Sequence, residues 1–200
     1  MIILVISITL IITALLLLVY NFFRKKGARE RILSAFEQLA TTMPLENTKI
    51  QYIPSFLMNG TYRTFSLAIE AVVRKLYGKK KEHWRIITKP SKEIPCRFYV
   101  QSESQEGKLR KVVDLEVVTT GDEDFDKEIM IFSGDAGVAH CIFNPYMRQR
   151  FLWAGFKYFS IEITTGRAIF ETYAEIPTSI RAIRHQTEVF TEFLNAISLK

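Results

Sequence analysis

From Ile2 to Phe23 the chain runs twenty-two residues without a charge, its only polar members being Ser7, Thr9, Thr13 and Asn21. An α-helix rises 1.5 Å per residue, so this run makes a helix of roughly 33 Å, close to a bilayer hydrocarbon thickness of about 30 Å. A lone span must satisfy its backbone polar groups internally, which leaves a helix as its only form in lipid. The sequence therefore predicts a transmembrane anchor over residues 1–23.

A cleaved leader would place basic residues before a shorter apolar core and a small-residue cleavage site after it. Here the order is reversed: the run is followed by Asn21-Phe22-Phe23-Arg24-Lys25-Lys26. The pattern is that of an uncleaved signal-anchor. Tyr20, Phe22 and Phe23 suit the interface, and Arg24, Lys25, Lys26, Arg29 and Arg31 resist translocation, so the rest of the chain is expected on the cytoplasmic side. The same five residues would attract anionic headgroups, each contributing on the order of 1 kcal/mol near such a surface. Asn59-Gly60-Thr61 matches a glycosylation sequon, which would matter only on the opposite side; Asn-Gly is also a frequent turn dipeptide, and a turn is the expectation here.

The basic cluster also accounts for most of the formal charge of +6. Residues 24–31 hold five basic side chains against Glu30, a net of +4, so +6 minus +4 leaves +2 for everything else. That distribution marks a membrane surface and argues against nucleic acid as partner.

Residues 28–43 read as an amphipathic helix, with Ile32, Phe36, Leu39 and Met43 on one stripe and Pro44 closing it. The expected organisation is an anchor over 1–23, a basic juxtamembrane segment and linker helix over 24–46, and a domain over 47–200, with the helix stripe packing on that domain or on a partner copy.

Within the domain, Lys49–Ile53, Gly60–Phe65, Ser66–Val73, Trp84–Thr88, Arg97–Val100 and Lys111–Thr119 are short runs rich in β-branched and aromatic residues. Ser66–Lys75 also has a helical spacing. Lys79-Lys80-Lys81 and the stretch 102–108 read as exposed loops. Gly121-Asp122-Glu123-Asp124-Phe125-Asp126 reads as an acidic turn before an extended stretch to Phe132. Asn144 then caps a helix with Pro145 at its first position. Phe159, Ile161 and Ile163 alternate in one arm of a hairpin around Thr164-Thr165-Gly166. Ile183, Phe190, Phe193, Leu194 and Ile197 line a last helix capped by Thr178 or Ser179. The fold class is α+β: a curved antiparallel sheet with flanking helices.

The run Gly121-Asp122-Glu123-Asp124-Phe125-Asp126, the short segment containing Asp135 and the helix opened by Asn144-Pro145 together resemble a group of uncharacterised bacterial membrane-anchored domains. In these, G-D-x-x-F-D-x-x-F precedes L-T-P-x-x-x-x-x-L. Here Ile129 stands for the second Phe and Asn144 for Thr, while Gly60-Thr61-Tyr62-Arg63 echoes a G-x-Y/F-x-G-R element. The resemblance spans residues 50–195 and supports the architecture. It brings no known activity, so no catalytic residue is carried over.

Candidate chemistry is sparse. Asp122, Asp124 and Asp126 have the alternate spacing of a calcium loop, but its sixth and twelfth positions are Lys127 and Ser133 where Gly and Glu are needed; a solvated turn is the simpler expectation, and these three remain the weak candidates for a metal. Cys96 and Cys141 form no CxxC and are expected as buried apolar residues. His83, His140 and His185 fall on separate elements, and Cys141 with His140 makes no helical pair. No nucleotide-loop, nucleophile-elbow or zinc-helix motif occurs, and no cofactor is expected. A second basic patch, Arg74, Lys75 and Lys79–Lys81 beside Tyr77 and Trp84, reads first as a solvated loop, then as a headgroup contact, and last as a nucleic-acid contact. Three functions follow as expectations: a membrane-anchored binding or scaffolding module with a protein partner or its own copies, a tethered enzyme or small-ligand binder built on the acidic turn, and a sensor of anionic lipid.

Overall fold

The computed structural model describes residues 20, 26–27, 29–53, 55–76, 79–90, 93–102, 115–155, 158–172 and 180–198. The expected span over 1–23, Tyr20 excepted, lies outside these residues, as do Arg24, Lys25, the stretch 103–114, Pro177 and the expected caps Thr178 and Ser179. Among the described residues no helix is long and apolar enough to cross a membrane.

The linker helix, α1 (residues 29–42), is present and packs in cis. Ala35, Phe36, Leu39 and Met43 belong to the same buried core as the sheet, with Ile32 and Ala40 against it. Their i, i+3, i+4 spacing puts them on one stripe. Pro44 lies just past the helix, and Leu45 leads into β1 through a bond from its N–H to the Met43 carbonyl. Helix and sheet are thus one packed unit.

Among the described residues nine strands follow: β1 (Glu46–Ile53), β2 (Ser55–Tyr62), β3 (Phe65–Leu76), β4 (Lys79–Thr88), β5 (Phe98–Ser102), β6 (Glu116–Val118), β7 (Ile129–Ser133), β8 (Phe159–Thr164) and β9 (Arg167–Thr172). They form one antiparallel sheet in the order β1-β2-β3-β4-β9-β8-β5-β7-β6. Register aligns one face throughout: Ile69, Ile86, Phe170, Ile161, Val100 and Ile131 are successive cross-strand neighbours, and all six are buried. Side chains alternate with period two along each strand, so this one row places every second residue of six strands in the core.

Helices α2 (Glu123–Glu128), α3 (Ala136–Ile142), α4 (Pro145–Trp153) and α5 (Ile180–Ser198) complete the core. Phe143, Phe151 and Phe193 meet at centroid distances of 5.2–5.5 Å, with Phe151 edge-on to Phe193. Such tilted and edge-on pairs are the favoured aromatic geometries. Phe98, from β5, joins through Phe193. Between α4 and α5, Arg150 donates Nε and Nη2 to the two Glu192 carboxylate oxygens at 2.9 and 3.1 Å; that carboxylate raises the Arg150 guanidinium above its ordinary pKa.

Several expectations need correction. Asn59 and Gly60 lie inside β2, paired with Ala68 and Leu67, and form no turn. Gly60 is there because the chain passes close by: a Cβ on it would stand 3.2 Å from Leu45 Cβ, a known reason for glycine within a strand. The turn falls at Arg63-Thr64, with Arg63 in the left-handed region (φ 54°) although no glycine marks it. Ser66–Val73, by contrast, is strand as expected, within the twelve residues of β3, and the alternative helical spacing of Ser66–Lys75 is not adopted. Lys79-Lys80-Lys81 belong to β4 and pair with Arg74–Leu76, so they are strand and not loop. Residues 123–128 form the short helix α2 where a turn was expected. Cys141 is exposed, because Ala139, Ile142 and Phe143 occupy the buried side of α3.

Candidate functional site

The acidic segment is built from the residues most expected to act. Gly121, at φ +80°, turns the chain between β6 and α2. Asp122 N-caps α2: one carboxylate oxygen accepts the Phe125 N–H at 3.2 Å, and the other accepts Arg148 Nε at 3.1 Å. Arg148 also donates to the Phe143 carbonyl at the end of α3, so that one side chain ties α4 to both α3 and the start of α2. Asp126 turns back onto the loop, accepting the N–H groups of Thr120 and Gly121 and the Thr120 hydroxyl. Asp124 points outward with its side chain 92% exposed, 4.0 Å from Lys127.

The three carboxylates therefore diverge. One caps a helix and holds an arginine, one closes a loop and one is solvated, which are the uses that acidic residues find at helix starts and turns. Among the described residues no group of three His, Cys, Asp or Glu side chains is placed to hold a metal ion.

The histidines are likewise dispersed. His140 is exposed on α3 beside Cys141, and adjacent positions on a helix diverge by about 100°. His185 lies 3.6 Å from Glu188 on α5. His83 is fully buried in β4 on the sheet face opposite the main core, its Nε2 3.8 Å from Glu171 Oε1. Arg85 bridges Glu171 and Glu70 on that same face, donating Nε to Glu70 at 2.6 Å. This four-residue array was invisible in the sequence, since Glu70, His83, Arg85 and Glu171 become neighbours only through the β3-β4-β9 register. Cys96 Sγ stands 3.7 Å from the Ser133 hydroxyl, and burial pushes its thiol pKa up, the direction opposite to an activated nucleophile.

Of the expected membrane-surface residues, Lys26, Arg29 and Arg31 are described and all are exposed, with Lys26 3.9 Å from Glu30 and Arg31 donating to the Gly27 carbonyl. Sequence reasoning passed over another exposed group: Tyr146 and Trp153 on α4, and Tyr158 before β8, present large aromatic surfaces to solvent. The signal was available in helical phase. With Met147 and Phe151 facing the core, Tyr146 and Trp153, seven positions apart, must share the other side.

No family model and no curated protein matches the sequence. The fold is similar to the crystal structure of the mycobacterial trehalose monomycolate transport factor A, TtfA, with a TM-score of 0.55 over 84% of this chain and 92% of that one. At 11% identity the likeness is one of fold alone, an α+β unit built on a large antiparallel sheet.

Proposed function

We propose that this chain is a single-pass, membrane-tethered binding or scaffolding protein whose α+β domain is held at the cytoplasmic surface. The uncharged run Ile2–Phe23 followed by Arg24, Lys25, Lys26, Arg29 and Arg31 carries the reading. Only residues 24–28 separate that run from α1, and α1 is packed in the domain core. A domain joined to an anchor without a long flexible linker stays near the bilayer and offers its surfaces to whatever arrives there. The resemblance to bacterial membrane-anchored domains and the fold shared with a transport factor fit a role in holding a protein partner, or further copies of the chain, at the membrane. The acidic segment supplies no competing chemistry, since Asp122 and Asp126 are engaged in holding α2 and its loop.

Paired C-terminal fusions, one reporter active only in the cytoplasm and one only outside it, test this. Activity of the cytoplasmic reporter alone is expected, with the protein resisting alkaline carbonate extraction. Activity of the outer reporter would reverse the orientation, and full release by carbonate would remove the anchor.

A further inference from the structure

The core is apolar along its middle and turns polar toward one end. The side chains of Ile69, Ile86, Phe170, Ile161, Val100 and Ile131, which form the middle row, carry no polar atom. One step along the strands, Ala71, Trp84, Thr172 and Phe159 are successive cross-strand neighbours on the same face. Trp84 and Thr172 are fully buried. The Phe159 N–H at the end of this row donates to the hydroxyl of buried Ser102 at 3.3 Å.

Helix α5 brings a further polar side chain to the same row. Phe190 packs against Phe170 with ring centroids 5.8 Å apart, and Phe193 against Phe98 at 6.0 Å. Phe98 stands opposite Ile163 and Ile163 opposite Ala168, so from Phe190 to Phe193 the helix passes from the row of Phe170 to the row of Ala168. The helix therefore runs antiparallel to β9. One turn back from Phe190 is Gln186, about 6 Å away along the axis, where successive strand rows are about 6.6 Å apart. That step sets Gln186 over the row of Trp84 and Thr172, and Gln186 is buried as well.

The Trp84 indole Nε1, the Thr172 hydroxyl and the Gln186 side-chain carbonyl are each buried without a hydrogen-bond partner among the described residues. Buried polar groups are ordinarily paired, with protein or with ordered water. The chemistry of these three restricts what satisfies them together. The indole N–H only donates, the amide oxygen only accepts, and the hydroxyl does both. An anion would suit the indole and be repelled by the amide oxygen; a cation would do the reverse. A neutral O–H group serves both, and water is the smallest that accepts from one, donates to the other and keeps a bond for the hydroxyl.

We propose that one internal water sits between α5 and the β4-β9 pair, hydrogen-bonded to Trp84 Nε1, Thr172 Oγ1 and Gln186 Oε1. About three bonds is the usual number for a buried water. The site lies within the domain core and is independent of the membrane-tether reading.

The full-length chain in detergent micelles tests this. The sequence contains only two tryptophans, so Trp153→Phe leaves Trp84 as the sole indole, and isotope-labelled tryptophan isolates its Nε1–H in NMR spectra. That proton is expected to show an NOE to the water resonance with the sign of a bound rather than a freely diffusing molecule. The NOE should persist in Trp153→Phe/Thr172→Val, where the exchangeable threonine hydroxyl that could mimic it is gone. Magnetic relaxation dispersion of the water oxygen counts long-lived internal waters directly. The count is expected to fall by one from the parent to Gln186→Leu, or to Gln186→Met should that variant fold better. Absence of the NOE in Trp153→Phe, its loss in Trp153→Phe/Thr172→Val with an unchanged count, or an unchanged count on replacing Gln186 overturns the proposal.

Discussion

The two halves of the β3-β4 hairpin share one continuous ladder and obey opposite rules. From Leu67 to Ala71, and from Trp84 to Thr88, alternate residues are buried in a core whose neighbours are Phe170 and Ile161. Beyond them the same ladder brings basic residues face to face at Arg74↔Lys81 and Lys75↔Lys80. Hydrogen-bond pattern does not separate the halves, since one register runs through both. Burial marks the inner half: where β2 and β9 flank the hairpin, the side chains that alternate into the core are apolar, Thr88 excepted.

The sharpest way to break this contrast is a substitution in the inner half. Trp84→Ala removes a side chain packed in a tilted arrangement against Phe170, ring centroids 5.2 Å apart, and is expected to cost about 3–5 kcal/mol in denaturant unfolding. Trp84→Phe should cost far less, because it keeps the ring and removes an indole N–H with no hydrogen-bond partner among the described residues. A loss under 1 kcal/mol for Trp84→Ala would mean that the hairpin is not held by its core half.

In α4, Asn144→Ala removes the side-chain oxygen that accepts the Met147 N–H at 3.0 Å. Loss of this cap from α4, the helix that carries Trp153, is expected to cost about 1 kcal/mol, read as a lower unfolding midpoint. The outer half should respond with the opposite sign. Lys80→Glu places an acid opposite Lys75 and is expected to stabilise the protein in detergent by about 0.2–1 kcal/mol. Destabilisation by Lys80→Glu would show that the basic rungs already serve the fold.

The smallest effect lies at the other end of β3, in the β2-β3 hairpin, where Tyr62 pairs with Phe65 across the Arg63-Thr64 turn. Burial raises the Tyr62 phenol above its ordinary value of 10.0, against the nearby Arg63 guanidinium, which lowers it. A group whose folded pKa is raised contributes stability that is complete below its unfolded pKa and is lost as pH climbs through the folded one. Stability should therefore decline above about pH 10, and less steeply in Tyr62→Phe than in the parent, by thermal melts at pH 9 and 11.

Much of this was legible in local pattern. The α1 stripe, the Asn144-Pro145 cap, the hairpin around Thr165-Gly166 and the buried face of α5 all depend on residues within a turn or two of each other, where periodicity and capping act directly. The errors came where a distant segment overrode a local signal. Asn59-Gly60 has turn composition, yet Leu45 packing against Gly60 keeps it in a strand. Lys79-Lys80-Lys81 has loop composition, yet pairing with Arg74–Leu76 makes it a ladder.

The sequence by itself determined the apolar run with its basic flank, the α+β alternation and the helix caps, because each is written in contiguous residues. Only the tertiary structure decided that α1 packs in cis, that the three aspartates diverge, and that Glu70, His83, Arg85 and Glu171 meet on one face of the sheet. The physical reason is that strand order and register join residues far apart along the chain. Which charges oppose one another, and which aromatics remain uncovered, depends on that assembly and not on any window of sequence.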